Sequence, residues 1–350
     1  MAQLTSLDLS HCTQVSDKGV LTLVQAQDSS GSPDNRFGQC HKLSRVLVSG
    51  CQNISQVSVK VLLTQLRMLS VLDYSDTVGV IHQLILEDKL ERQLNLKSLY
   101  CGETCSEESL ALVTATCPHV EHVYVVLSDN VTCQTLMSLL DIKYLREIHV
   151  RDESWSDHGG VTFSEVMSPV LTRHGATLVN INLAEVRHVD IGSICDTCPA
   201  LVHLALHWNK SYVISNTSAQ REWFPAMKTF EASFVNDNEN VYWPSEMSRD
   251  HLMMLLRSSM LQSVKICHSN NLDDVCMENV YNFSLFQHLQ HLELDNCHEI
   301  TFQCLEVLLE HENSLQSVKL LKCEQITKRD IQNYQRRIQK WKWDLDLVWS

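Results

Sequence analysis

The sequence predicts a repetitive α/β fold, a solenoid of about twelve strand–helix units with parallel strands on its concave side and helices on its convex side. Three observations predict it. An apolar triplet spaced as L-x-x-L-x-L recurs along the chain. In four copies a cysteine follows eight residues after the first apolar anchor, with another apolar residue three positions later. Many neighbouring anchors are separated by 23 to 28 residues, which is the length of one short strand plus one helix.

The copies differ in clarity. The four clear copies start at Leu4, Leu43, Leu289 and Leu315, and they place Cys12, Cys51, Cys297 and Cys323 eight residues later. Eight weaker copies start at Leu69, Leu96, Val120, Leu145, Leu178, Leu201, Met227 and Leu261. The copy at Met227 is the doubtful one. Together these copies give the count of about twelve.

Each unit is expected to form a strand, a turn and a helix. The triplet predicts a short strand whose alternate apolar residues point inward. The cysteine is expected to lie in the core at the turn, because a thiol is small and needs little hydrogen bonding. The helix that follows opens with Ser or Asp, as at Ser16 and Asp17. One unit cannot bury its own apolar face, so stability is expected to come from stacking of neighbours.

These residues resemble the cysteine-containing leucine-rich repeats (LRRs), best known from F-box proteins that select substrates for cullin-type ubiquitin ligases. The pattern L-x-x-L-x-L-x-x-C-x-x-I/V-[ST] fits at residues 4–16, 43–55, 289–301 and 315–327. The resemblance implies a protein-binding scaffold, which can serve many functions. No F-box stands ahead of the first repeat, so any contact with cullin-ligase components is expected through a region outside this chain.

Composition and charge narrow the class of partner. A formal net charge of −14 disfavours nucleic acid and anionic membrane surfaces as partners. Residues 328–342 are locally basic, and a basic helical end piece is favoured there over a nucleic-acid site. Residues 341–349 alternate polar and apolar side chains, which predicts a final edge strand. With no recognisable signal peptide and fourteen cysteines at repeat positions, we expect reduced thiols and a cytoplasmic or nuclear location.

A single LRR domain is expected over 1–350, with insertions near 28–41, 152–165 and 208–250 and a cap near 328–350. The third insertion is rich in aromatic residues, which could form an interaction patch or a local core. These residues are Trp208, Tyr212, Trp223, Phe224, Phe234, Tyr242 and Trp243.

Outward-pointing strand residues are the candidate protein-binding site. Residues two, four and six positions after each anchor should face the concave surface. Their mixture of charge, histidine and tyrosine is typical of specific protein recognition, although an ordinary solvated face is the alternative for any single residue. The candidates are Asp8, Arg45, Asp73, Tyr100, His122, Tyr124, Glu147, His149, Arg151, Asn182, His203, His207, Lys265, His291, Glu293 and Lys319.

The sequence lacks the common catalytic and cofactor-binding motifs. The sequence contains no phosphate-binding loop, no G-x-S-x-G and no H-E-x-x-H. Cys195-x-x-Cys198 lies where a helix closes a repeat, so a structural role is favoured over metal or redox chemistry. Four outward histidines could in principle bind a metal or respond to pH, but none has the short spacing of a defined site. We therefore expect no catalytic residue, cofactor or metal.

Three functions follow in order of preference. The first is a non-catalytic protein-recognition module, as the substrate-binding subunit of a cullin-type ubiquitin ligase. The second is a ligase-independent scaffold or inhibitor that wraps a single protein partner. The third, an enzyme, needs a reactive group such as one hyper-reactive cysteine.

Overall fold

The structure is a computed structural model that describes residues 3–24, 40–90, 92–102, 104–128, 131–153, 161–215, 223–234, 246–284, 286–309 and 314–350. The chain divides into two compact units, Met1–Ser154 (unit 1) and Trp155–Ser350 (unit 2). Each unit is described by itself. That the two units make up one LRR domain stays a prediction, as do its insertions, which fall partly outside the described residues.

Unit 1 alternates strands with helices. The strands are β1 (Ser6–Asp8), β2 (Arg45–Leu47), β3 (Val71–Asp73), β4 (Ser98–Cys101), β5 (His122–Leu127) and β6 (Glu147–Asp152). The helices are α1 (Asp17–Val24), α2 (Gln56–Gln65), α3 (Thr77–Leu86), α4 (Glu107–Thr116) and α5 (Cys133–Leu136), the last extended by a 3₁₀ turn at Met137–Asp141.

Unit 2 also combines strands with helices. Its strands are β7 (Asn180–Ala184), β8 (Val189–Asp190), β9 (His203–His207), β10 (Tyr212–Val213), β11 (Thr229–Ser233), β12 (Ser263–Cys267), β13 (His291–Asp295), β14 (Ser317–Leu321) and β15 (Asp346–Trp349). Its helices are α6 (Phe163–His174), α7 (Ile191–Thr197), α8 (Arg249–Leu256), α9 (Asp274–Ser284), α10 (Phe302–Leu309) and α11 (Lys328–Trp341), with a 3₁₀ turn at Gly175–Thr177. No described helix separates β7 from β8, or β9, β10 and β11 from one another.

The strands pair in parallel, as the repeat predicts. In unit 1, β1–β2–β3 form one ladder and β4–β5–β6 another. In unit 2 the order is β7–β9–β11–β12–β13–β14–β15, with β8 and β10 paired separately. All twelve predicted triplets coincide with a strand, including the doubtful one at Met227, which is β11. The predicted fold class is confirmed.

The core lies between the inner face of each strand and its helix. In β5, for example, Val123, Val125 and Leu127 are buried, whereas His122 and Tyr124 between them are half-buried. This period of two is the pattern of a strand with one covered face. The face opposite the helices is called the outward face below.

The repeat cysteines link neighbouring units. The thiols of Cys51, Cys297 and Cys323 each donate to a backbone carbonyl oxygen of the preceding strand segment, at 2.9, 3.6 and 3.6 Å. The prediction that Cys12 also lies in the core is wrong, because Cys12 is exposed. It follows β1, the first strand of the described chain, so no earlier described repeat covers it.

Aspartates at the helix starts also join neighbours. Asp17 is the first residue of α1, as predicted, but its carboxylate accepts from Ser55 and Ser58 of the next repeat, with the Ser55 backbone N–H at 2.8 Å. Asp274 accepts in the same way from Thr301, whose backbone N–H lies at 2.9 Å. These contacts add polar links to the apolar stacking of repeats.

The ladder is interrupted between β3 and β4. The Tyr100 backbone N–H donates to Thr77 Oγ1 at 2.8 Å, and the Thr77 hydroxyl lies 3.3 Å from the Tyr100 carbonyl oxygen. Helix α3 begins at Thr77, capped by the buried Asp76, whose side chain accepts from the Gly79 N–H at 3.1 Å. An early helix start thus inserts a side chain where strand backbone would otherwise pair.

The C-terminal residues form the predicted edge strand. β15 pairs in parallel with β14, from Ser317 opposite Asp346 to Leu320 opposite Trp349. Helix α11 precedes it and buries Ile331, Tyr334 and Ile338. Among the described helices, none has the length and apolar character required to cross a membrane.

Candidate functional site

The parallel register places outward side chains in columns across neighbouring strands. In unit 1, Tyr100 of β4 stands opposite Tyr124 of β5, which stands opposite His149 of β6. His122 and Glu147 are neighbours in the adjacent column. The sixteen candidates chosen from the sequence are all half-buried or exposed in the structure, whereas the apolar residues between them are buried. That they bind a protein stays a prediction.

Three of the candidates form an aromatic stack. The rings of Tyr100 and Tyr124 are 4.4 Å apart and nearly parallel, with an interplanar angle of 4°. The rings of Tyr124 and His149 are 4.3 Å apart at 23°. Strands in a sheet lie about 4.8 Å apart, so an in-register column of rings stacks without any distortion of the backbone.

A carboxylate joins one end of this stack. Glu147 Oε1 lies 2.7 Å from His149 Nε2 and 3.4 Å from the Tyr124 hydroxyl, which donates to it. Glu147 Oε2 lies 3.7 Å from His122 Nε2. Burial, reinforced by the Glu147 charge, raises the pKa of Tyr124 to about 12. Tyr124 therefore stays a neutral donor at physiological pH.

A second carboxylate lies at the other end. Asp73 of β3 interacts with the Tyr100 hydroxyl, and this interaction opposes the effect of burial, which raises the pKa of Asp73. Burial and the Asp73 charge also raise the pKa of Tyr100. We call Asp73, Tyr100, His122, Tyr124, Glu147 and His149 the aromatic cluster. Four consecutive strands thus contribute to one connected, partly exposed group.

The remaining unit 1 candidates lie outside the aromatic cluster. Asp8 accepts from the Ser10 backbone N–H at 2.9 Å, and hydrogen bonds from Ser10 lower the pKa of Asp8. Arg45 is exposed on β2. Arg151 pairs with Glu153 at 3.3 Å, and both side chains are about half exposed. An exposed pair of this kind contributes about 0–1 kcal/mol.

Unit 2 presents a row of alternating charge on its outward face. Glu231, Lys265, Glu293 and Lys319 stand opposite one another on β11 to β14, and we call them the charge ladder. Glu293 accepts from Lys265 Nζ at 2.7 Å and from Lys319 Nζ at 3.3 Å. The Lys265 hydrogen bond lowers the pKa of Glu293, and the Glu293 hydrogen bond raises the pKa of Lys265. Opposite charges within the ladder largely offset one another.

Sequence reasoning missed Glu231. It lies four residues after Met227, which is the same offset that selected Lys265, Glu293 and Lys319 in their repeats. The same offset marks Glu231, but the triplet Met227-Phe230-Ala232 matches the L-x-x-L-x-L pattern only weakly.

The other unit 2 candidates flank the charge ladder. His207 Nδ1 lies 3.2 Å from the Ser233 hydroxyl, and burial lowers the pKa of His207. His203 stands between Asn180 and Thr229 in the register, and His291 is exposed on β13. Asn182 lies opposite Ala205. No group of three His, Cys, Asp or Glu side chains able to hold a metal occurs among the described residues.

The aromatic-rich segment divides between core and surface. Phe224 and Phe234 are buried, and Tyr212 packs edge-on against Phe234 with ring centroids 6.2 Å apart. Trp208 is 46% exposed. Trp223 is half-buried beside Phe224. Tyr242 and Trp243 lie outside the described residues.

Cys195 and Cys198 close a repeat, as predicted. Cys195 lies in α7 and Cys198 caps its C-terminus, and both are buried. Burial raises the pKa of Cys198 to about 11 and the pKa values of Cys117 and Cys297 to about 12. Buried, protonated thiols are poor nucleophiles.

Thiol labelling should reflect this burial. With iodoacetamide near pH 8, we expect folded protein to react rapidly at Cys12 and more slowly at Cys133, which are the exposed and half-buried thiols among the fourteen. The other cysteines should react only after unfolding. Mass spectrometry of a labelling time course measures this order. Rapid labelling of Cys195 or Cys198 in folded protein would contradict their structural role and revive a catalytic one.

Successive parallel strands, most of them followed by a helix before the next strand, define an LRR solenoid fold in the described chain. No protein-family model and no curated protein matches the sequence. Among solved structures, the chain is similar to one in the crystal structure of the Rad7 and Elc1 complex in yeast, with 13% identity and a TM-score of 0.48 over 97% of this chain and 85% of that one. It is also similar to one in the TLR13–ssRNA13 complex, with 14% identity and a TM-score of 0.45 over 82% of this chain and 40% of that one.

Proposed function

We propose that this chain is a non-catalytic protein-recognition module that holds a protein partner on the outward faces of its strands. The observation that carries the proposal is the aromatic cluster of unit 1. Four consecutive strands place tyrosine, histidine and carboxylate side chains in one connected group that remains partly open to solvent.

The aromatic cluster has the properties of a binding hot spot. Tyrosine combines a large apolar ring with a polar group, and such residues contribute most of the energy at many interfaces. Here stacking and hydrogen bonds already fix Tyr124, His149 and Glu147 in place. These side chains therefore lose little conformational entropy when a partner binds, which favours a higher affinity.

The test is a double substitution in the aromatic cluster, Tyr124→Ala with Glu147→Gln. Wild-type and variant proteins are used to capture partners from native cells, and each partner is quantified by mass spectrometry. We expect the affinity for the specific partner to fall at least about tenfold, which corresponds to about 1.4 kcal/mol. The reason is the loss of one ring from the centre of the stack and of the charge that orients His149.

The matched control lies on helix α4, on the other side of the sheet. Leu112→Ala with Glu108→Gln also removes one large side chain and one carboxylate, and both original residues are exposed. This control should bind the partner like wild type. Equal recovery of every partner by the cluster variant would argue against the cluster as the anchor.

The finer proposal is that the module is the substrate-binding subunit of a cullin-type ubiquitin ligase. Its support is the cysteine-type repeat, whose thiols donate to the preceding repeat at Cys51, Cys297 and Cys323. The test is affinity purification of the full-length gene product from its native cells. We expect a cullin, its adaptor and one recurring client, and a purification without ligase components would contradict this proposal.

A second candidate function is a ligase-independent scaffold or inhibitor that wraps one protein partner. It is favoured by the spread of outward polar groups, because unit 2 carries the charge ladder in addition to the aromatic cluster of unit 1. The same purification separates the two. A single stoichiometric partner without ligase subunits, lost by variants in both units, would establish the scaffold.

A further inference from the structure

The last helix of unit 2 has a charge opposite to that of the chain. Residues 328–342 contain six of the 28 Lys and Arg residues and only one of the 42 Asp and Glu residues. The segment is therefore strongly cationic, whereas the rest of the chain is strongly anionic. A cationic segment on an anionic chain attracts negatively charged partners to that segment.

The structure places most of these cations on one open surface. The apolar stripe of α11, formed by Ile331, Tyr334 and Ile338, is buried within the unit. The cations on the exposed side have no ion pair among the described residues. They are Lys328, Arg329, Arg336, Lys340 and Lys342.

Aromatic side chains border this basic surface. The Arg337 guanidinium lies over the rings of Tyr334 and Trp341, 4.9 and 4.8 Å from their centroids, and pairs with Glu306 at 3.4 Å. Trp341 is 43% exposed, and its ring lies 4.8 Å from that of Trp343. Tryptophan and arginine are the residues most enriched at the centres of protein interfaces.

We propose that the exposed basic side of α11, together with Trp341 and Trp343, is a docking surface for an acidic segment of a protein partner. This surface is separate from the aromatic cluster and does not depend on the function proposed for it. Helix α11 has 14 residues, so its open side is about 21 Å long and can meet a short acidic segment along its length.

Two other polyanions fit the structure less well. A membrane-surface helix inserts its apolar stripe between lipids, but the stripe of α11 already packs inside the protein. A nucleic acid extends its phosphate charge over a long distance, and the anionic remainder of the chain would repel it. A short acidic peptide segment meets only the helix.

The experiment uses the whole chain and a fluorescein-labelled octaglutamate peptide, with binding measured by fluorescence anisotropy. The variant carries Arg336→Glu and Lys340→Glu, two exposed residues one helical turn apart. We expect wild type to bind with an affinity that falls as salt is added, and the variant to bind at least about tenfold more weakly. Circular dichroism confirms that the variant is folded.

The matched control reverses two exposed cations of unit 1, Lys143→Glu and Arg146→Glu, and so changes the net charge equally. It should retain wild-type binding of the peptide. The variant Trp341→Ala should weaken binding about fivefold at low salt, because the ring that holds the Arg337 guanidinium in place is lost.

Several outcomes would overturn the proposal. The proposal would be wrong if the wild-type protein did not bind the peptide. It would also be wrong if the unit 1 control lost as much affinity for the peptide as the α11 variant. Tighter binding to a single-stranded oligonucleotide about 20 nucleotides long would assign the surface to nucleic acid. Tighter binding to phosphatidylserine-containing vesicles would assign it to membranes.

Discussion

Replacing Phe230 with alanine is expected to destabilise the protein by about 3–5 kcal/mol. Phe230 lies on β11, which pairs with β9 on one side and β12 on the other, and its side chain is 0% exposed. Truncation removes a buried ring and leaves a cavity between two repeats that cannot close without moving both strands. Urea unfolding followed by circular dichroism measures the change in the free energy of unfolding.

The adjacent residue provides the control. Glu231 stands on the same strand with its side chain on the outward face, so Glu231→Ala should change stability by no more than about 0.5 kcal/mol. This contrast tests the register of the repeat that the sequence identified least clearly. Similar losses for the two variants would mean that β11 is not a repeat strand with one buried face.

Replacing Gly102 with alanine is expected to cost about 1–3 kcal/mol. Gly102 follows β4, where that strand meets the preceding repeat. A Cβ at this position would lie 2.7 Å from the Ser75 carbonyl oxygen and 2.8 Å from the Asp76 Cβ. Both atoms are tightly held, because Asp76 is buried and caps α3. The added methyl group therefore has to displace backbone, which chemical denaturation would detect as a lower midpoint.

Replacing Gly19 with alanine should have the opposite effect on stability. This glycine lies in α1, and the nearest atom to an added Cβ is Val15 Cγ1 at 4.0 Å. Alanine is favoured over glycine within a helix by about 1 kcal/mol, so Gly19→Ala should stabilise slightly. If both variants shifted stability in the same direction, crowding would not be the cause of the Gly102 effect.

The candidate site was partly predictable because sheet geometry is regular. Once the strands are aligned by their anchors, residues at the same offset must fall in one column, and the sequence thereby brings Tyr100, Tyr124 and His149 together. The sequence could not predict what kind of contact the side chains within each column would make. Rings of similar size stack at the strand spacing, whereas in unit 2 the corresponding column pairs Lys265 with Glu293.

The repeat pattern also did not predict the backbone conformation of the turns that follow the strands. The residue seven positions after the anchor adopts positive φ in several repeats, with 57° at Asn296, 60° at His268 and 51° at Lys322. Asparagine and histidine tolerate this region, but lysine seldom adopts it. Hydrogen bonding to the neighbouring repeat holds the turn: His268 N–H donates to the Asp295 carbonyl oxygen and Asn296 N–H to that of Leu321.

The repeat pattern was enough to predict the class of fold, the position of each of the twelve repeat strands, and the edge strand at the C-terminus. It could do so because a strand with one buried face leaves a period of two, and the strand–helix repeat imposes a longer period. Three features became visible only in the folded chain: the exposure of Cys12, the break between β3 and β4, and the division of the aromatic-rich segment into buried Phe224 and exposed Trp208. Each of these depends on which neighbour covers a residue, and a local pattern carries no information about neighbours distant in the chain.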